Sequence, residues 1–312
     1  MNSARLALVA AAAATLVLSG ALALAADDDA SASASWEQVT SMSQRRSYLA
    51  AAELNGGVYA AGGMVGETGR PLATFARYDP EADVWSVLQR LPVATRAAAA
   101  ATVDGRIYVV GGTTEEGNTR AVWAYYPGPV EGEWQARAPM PVAMFNHGAV
   151  ALGGKLYVLG GFANGKELRD VFAYDPATDR WTRVTRLPRA NHAFGLVAFR
   201  DELWVIGGRR GEKILREVWI YNPVTRRWRE GPAMPRPMEL VGATVWDDEI
   251  HAIWEATYQI YDAGSESWRE GPHPLVTRHA LEAFAIDGAL YAIGGCTTAL
   301  HDSPVVERLA LG

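Results

Sequence analysis

From Trp36 onward the chain alternates short apolar runs with glycine and proline turns. A representative stretch starts with Asn146-His147-Gly148-Ala149-Val150-Ala151-Leu152. Gly153-Gly154 follows, and then Lys155-Leu156-Tyr157-Val158-Leu159-Gly160-Gly161. Two apolar runs of strand length around a glycine turn predict a β-hairpin. A polar loop leads to Leu168-Arg169-Asp170-Val171-Phe172-Ala173-Tyr174, then the turn Asp175-Pro176-Ala177-Thr178-Asp179, then Trp181-Thr182-Arg183-Val184. The unit is therefore four strands, a to d. Proline fixes φ and Asp bonds its own backbone, so the chain must turn between c and d.

The unit recurs. Double glycines stand at Gly62-Gly63, Gly111-Gly112, Gly160-Gly161, Gly207-Gly208 and Gly294-Gly295. Tryptophans at 36, 85, 134, 181, 228 and 268 are spaced by 49, 49, 47, 47 and 40 residues. Tyr78-Asp79-Pro80, Tyr174-Asp175-Pro176 and Tyr221-Asn222-Pro223 close strand c, with Tyr261-Asp262-Ala263 a weaker copy. A fixed period of this length marks a repeat fold, and the tryptophan is expected to pack between neighbouring repeats. The fifth repeat is degenerate, with Ile253-Trp254 read in place of the glycines. The last repeat supplies strands a, b and c only. Trp36-Glu37-Gln38-Val39 is expected to complete it, which joins the chain ends and removes exposed sheet edges.

Double glycine after strand b, an aromatic before Asp-Pro and a tryptophan shortly after resemble the kelch motif, whose blades run to about 50 residues. The Trp-Asp signatures of WD40 blades are absent. The resemblance implies an all-β, six-bladed β-propeller over residues 36–312, closed by the N-terminal strand.

Residues 1–26 differ from the rest. Arg5 precedes a charge-free run from Leu6 that ends in the small-residue sequence Ala21-Leu22-Ala23-Leu24-Ala25-Ala26. This pattern predicts a secretory signal peptide cut near Ala25, a secreted or periplasmic protein, and no stable membrane insertion after cleavage. An uncleaved anchor is the alternative. Residues 27–35 read as a flexible acidic and Ser-Ala leader. A net charge of −6 argues against general nucleic-acid binding. Cys296 is the only cysteine, so no intramolecular disulfide forms.

The order of strands places the loops entering strand a and the b–c loops on one face, around one mouth of the central channel. Aligned there are Ser47, Arg96, Phe145, His192, Glu239 and His279; one residue earlier stand Arg46, Thr95, Met144, Asn191, Met238 and Arg278; Tyr48 and Asn146 follow by one. Blade 4 adds Arg209 and Arg210 from its b–c loop, whereas blade 5 offers only Glu255-Ala256-Thr257. The missing loop predicts a notch, polar and partly cationic, suited to a protein partner or a small polar or anionic ligand. Its candidate binding residues are Arg46, Arg96, Asn146, His192, Arg209, Arg210, Glu239, Glu255, Arg278 and His279, with Trp254 beside them.

No nucleophile elbow, compact metal motif or cofactor signature is present, so neither metal nor cofactor is expected. Galactose-oxidase-type enzymes resemble this chain in fold only. A resemblance to periplasmic N-acetylneuraminate epimerases implies a second reading, a sugar-acid mutarotase. Glu239 and His192 would then be the acid–base pair, and Arg278 or Arg210 the carboxylate clamp. A structural envelope scaffold is the third reading. The leading expectation is a binding module.

Overall fold

A computed structural model describes residues 34–311 apart from 67, 130, 131 and 298–300. The expected signal segment, and the leader up to residue 33, lie outside the described residues. The described residues carry no helix and form six four-stranded antiparallel sheets. In order a, b, c, d, blade 1 comprises Ala50–Leu54, Gly57–Ala61, Phe75–Asp79 and Val84–Val87. Blade 2 comprises Ala99–Val103, Arg106–Val110, Val122–Tyr126 and Glu133–Ala136. Blade 3 comprises Gly148–Leu152, Lys155–Leu159, Asp170–Asp175 and Arg180–Arg186. Blade 4 comprises Gly195–Phe199, Glu202–Ile206, Val218–Asn222 and Arg227–Glu230. Blade 5 comprises Gly242–Trp246, Glu249–Trp254, Thr257–Asp262 and Ser267–Glu270. Blade 6 comprises Glu282–Ile286, Ala289–Ile293 and Val306–Ala310, and its fourth strand is Trp36–Val39. Trp36 pairs with Leu309 and Val39 with Val306, so the N-terminal strand closes the last blade as the repeat count requires.

The turn chemistry acts as read. Asp79, Asp175, Asn222 and Asp262 each accept backbone N–H bonds two and three residues on, which forms the c–d turn. Five of the six strand-d tryptophans tie their blade to the one before, whereas the indole N–H of Trp228 in blade 4 is buried without a partner. The indole N–H groups of Trp36, Trp85, Trp134, Trp181 and Trp268 donate to the carbonyls of Pro272, Thr40, Gln89, Ala138 and Pro232.

The double glycines have a sharper task. The second glycine of each pair donates its N–H to a carbonyl of the next blade: Gly63 to Thr95, Gly112 to Met144, Gly161 to Asn191, Gly208 to Met238, and Gly295 to Arg46. Gly62 and Gly63 hold φ of 62° and 98°. A Cβ on Gly62 would stand 2.4 Å from the Thr95 carbonyl oxygen. The backbone there needs both left-handed φ and close approach, which glycine supplies without strain. In blade 5 the reading from sequence is off by one. Register pairs Ile253 with Gly242 as Leu159 pairs with Gly148, so Trp254-Glu255 occupies the glycine positions. Glu255 adopts φ 54° and donates to the Arg278 carbonyl at 2.7 Å, completing the sixth inter-blade bond.

Candidate functional site

The residues entering strand a carry three separate jobs in three successive positions. The first is structural. Arg46, Thr95, Asn191 and Arg278 each point a side-chain donor at the carbonyl of the first glycine of their own blade, at 3.0, 3.1, 2.8 and 2.9 Å. The same residues receive the second glycine's N–H of the preceding blade, or of blade 5's Glu255, on their own carbonyls. This row therefore clamps the glycine corner from both sides. Arg46 is 1% exposed and also reaches the carbonyls of Thr74 and Ala60. Arg278 is fully buried, bonds the carbonyls of Val305 and Ala292, and pairs with the equally buried Glu307. The expectation that Arg46 and Arg278 line a ligand pocket is thus corrected. Their guanidinium groups are consumed by backbone carbonyls packed around the tight corner.

The third position forms the channel rim. Tyr48, Ala97, Asn146, Ala193, Leu240 and Ala280 all take φ between 49° and 56°. Ala97, Asn146, Ala193 and Leu240 each donate to the carbonyl of the preceding member, at 2.8, 3.0, 2.9 and 2.6 Å.

The middle position faces the mouth. In blades 1 to 4 the b–c connection continues as a two-stranded ribbon, and the residue after the double glycine pairs with the middle residue: Met64 with Ser47, Thr113 with Arg96, Phe162 with Phe145, Arg209 with His192. Blade 5 has no ribbon; strand b turns directly into strand c, with Trp254 paired to Thr257. The rim drops there and leaves a cavity of about 320 Å³. It is lined by Asn146, His192, Arg209, Glu239, Glu255 and His279, together with Tyr48 and Trp254. Six of the ten candidates from sequence are brought together.

The other two lie elsewhere. Arg96 reaches the blade 1 loop, its Nη1 3.3 Å from the Met64 sulfur. Arg210 turns away to Glu217, 2.9 Å distant. With Arg278 buried and Arg210 paired, neither residue expected to clamp a sugar acid lines the notch.

Within the notch, Arg209 Nη1 donates to both carboxylate oxygens of Glu239 at 3.2 Å. The lining is therefore of mixed charge, with Arg209 balanced by Glu239 and Glu255 left over, and the expected cationic character is not found. His192 is largely buried, edge-on to Phe162. Its Nδ1 is buried without a hydrogen-bond partner, and the nearest charge is Glu167 at 3.6 Å. Burial holds this imidazole below its ordinary range; the Glu167 carboxylate offsets part of that. His279 is held from behind by Cys296, whose sulfur lies 3.0 Å from Nε2. Burial pushes the Cys296 thiol up to about 11, so it meets the ring as a neutral thiol rather than a thiolate.

A match to known families now has a place on the structure. The family model described as the KLHDC2/KLHL20/DRC7 Kelch-repeats domain matches residues 48–253. The chain belongs to the kelch-repeat family. A relative, the F-box protein AFR of Arabidopsis thaliana, is 34% identical over 58 residues, which cover 19% of this chain and 16% of that protein. The kelch propeller is in general a protein-interaction module.

One titratable residue of the channel wall escaped sequence reasoning. The first residue of strand a is Ala50, Ala99, Gly148, Gly195 and Gly242 in blades 1 to 5, and Glu282 in blade 6. Glu282 lines both the cavity under the rim and the channel below it, whose other walls are mostly alanine, leucine and valine. Burial in this apolar wall pushes its carboxyl up from 4.5 to about 8. Aligning strand starts, rather than loops, would have exposed it.

Two outcomes follow from this division. Arg278→Ala leaves Glu307 buried and unpaired and lowers unfolding free energy by about 3–5 kcal/mol, whereas Arg209→Ala lowers it by less than about 1 kcal/mol; urea denaturation of both variants separates them. For Glu282 the folded state keeps its proton where the unfolded chain has lost it. Its contribution is complete below pH 4.5 and is lost as pH rises towards about 8. Thermal melts across that window show a fall in stability that Glu282→Gln flattens.

Proposed function

We propose that this kelch propeller is a binding module that grips a polar segment of a partner protein in the notch above blade 5. The observation that carries this reading is the lowered rim. The direct turn from strand b to strand c in blade 5 opens a cavity beside His192, Arg209, Glu239, Glu255 and His279, next to the ribboned loop of blade 4. Functional side chains on loops fixed by a rigid frame are a usual recognition device.

The chemistry favours a segment offering both donors and acceptors. Arg209 is already neutralised by Glu239, so a purely anionic ligand meets Glu255 without a free cation among the described lining residues. A peptide supplies backbone N–H groups for Glu255 and a carbonyl or hydroxyl for His192 Nδ1, which otherwise stays buried and unmet. In this reading the module works outside the cytoplasm, with residues 1–26 as its export signal.

The test uses affinity capture from envelope extracts. The Arg209→Ala/Glu239→Ala double variant keeps its Tm within about 4 °C of the parent and loses the partner that the parent retains. Equal recovery by both proteins contradicts the notch as the binding surface.

A further inference from the structure

The interfaces between blades are filled by one repeated device. An aromatic ring from strand b of one blade packs against the strand-c tyrosine of the next. Tyr59 meets Tyr125 with ring centroids 6.1 Å apart, Tyr108 meets Tyr174 at 5.7 Å, Trp204 meets Tyr261 at 4.9 Å and Tyr291 meets Tyr78 at 5.9 Å. Tyr157 and Tyr221 share one core cluster at the interface of blades 3 and 4. Such pairs add specific attraction to the area they bury.

Between blades 5 and 6 that pair is replaced, and the rings present are His251 stacked on Tyr258 at 5.8 Å and Trp36 edge-on to Tyr258 at 5.8 Å. Register places His251 at the strand-b position and Leu309 at the strand-c position. A cavity of about 420 Å³ opens there, on the face of the a–b and c–d turns, opposite the notch. Its apolar walls include Trp246, Ile260, Pro272 and Leu309. His251 lines it at 1% exposure. The imidazole Nδ1 lies 2.6 Å from the Tyr258 hydroxyl, while Nε2 is buried and has no hydrogen-bond partner. A buried ring nitrogen left bare is costly unless something fills the place beside it.

The mouth of the cavity is acidic. Asp247, Asp248, Glu249 and Asp262 line it against a single cation, Arg269. Arg269 is committed to Glu249 at 2.6 Å, and Asp248 is paired with Arg200. Asp247 has no ion-pair partner among the described residues, and Asp262 accepts only the N–H groups and hydroxyl of its own turn. A second cleft, beside Tyr157, has similar volume but opposite character. Its aromatic is in place, and Lys155, Arg180, Arg183 and Arg226 line it. Volume alone therefore does not single out the seam; the replaced ring pair, the bare nitrogen and the acidic mouth do so together.

We propose that the seam between blades 5 and 6 binds a phenolic amine. The phenol ring takes the space that two aromatic side chains fill elsewhere, its hydroxyl meets His251 Nε2, and its ammonium faces Asp247 and Asp262. A hydroxyl both donates and accepts, so it serves either imidazole tautomer. Two sources carry this chemistry, a free amine and the N-terminal tyrosine of a peptide.

Calorimetric titration of the folded protein with tyramine, and separately with the peptide Tyr-Gly-Gly, tests the seam and separates the two sources. Saturable binding of either is expected, with 3-(4-hydroxyphenyl)propionate at least about tenfold weaker because its charge is reversed. His251→Tyr restores the ring of the other blades and is expected to abolish binding while Tm holds or rises. Asp247→Asn, which keeps a residue tolerant of left-handed φ, weakens binding about fivefold. The proposal is overturned if neither amine binds the folded protein at millimolar concentration, or if His251→Tyr binds as the parent does. It is also overturned if the propionate binds as tightly as tyramine.

Discussion

Six equivalent backbone hydrogen bonds, one at the glycine corner of each blade interface, tie neighbouring blades together at the mouth of this propeller. Each runs from the residue at the second glycine position to the carbonyl of the residue entering the next strand a. An N–H and a carbonyl near the axis of six converging sheets have few other partners, and leaving them bare costs free energy. The bond demands an approach that a Cβ on Gly62 or Gly112 would obstruct. The glycine pair, the donor side chains of Arg46, Thr95, Asn191 and Arg278, and the left-handed rim residues all serve this one geometry.

The constraint also frees a row of side chains. With carbonyls and clamps settled by their neighbours, Ser47, Arg96, Phe145, His192, Glu239 and His279 vary from blade to blade without loss of closure. Blade 5 shows the limit of this freedom. Glu255 keeps the inter-blade bond without glycine, the ribbon beyond it is dispensed with, and the notch results. The far face has its own exception at the same blade, where His251 and Leu309 break the run of packed aromatic rings. Irregularity on both faces thus concentrates around blade 5 and its seam with blade 6, where departures from the repeat pattern leave room for a ligand.

Much of this was legible in the sequence because repeats print their geometry as spacing. The glycine pairs, the Asp-Pro turns and the tryptophans gave blade number, strand order and ring closure, and the short link after Trp254 gave the notch. Arg46 and Arg278 misled because a charged residue in a loop-facing row reads as exposed, while its role depends on carbonyls contributed by distant parts of the same blade. The one-residue offset at Trp254-Glu255 arose because, without glycines, only pairing register identifies the corner. Glu282 and His251 were missed for a related reason. Each is unremarkable alone and becomes informative only when strand positions are compared across all six blades.

Hydrogen exchange read amide by amide tests the closing bonds most directly. The amides of Gly63, Gly112, Gly161, Gly208, Glu255 and Gly295 sit next to loops around an open mouth, where unpaired backbone would exchange rapidly. If these bonds hold the ring, all six exchange as slowly as the central strands and open only with global unfolding. Exchange at the rate of the neighbouring loop residues would show that the glycine corners do not hold the ring, and the account of the rim would fail.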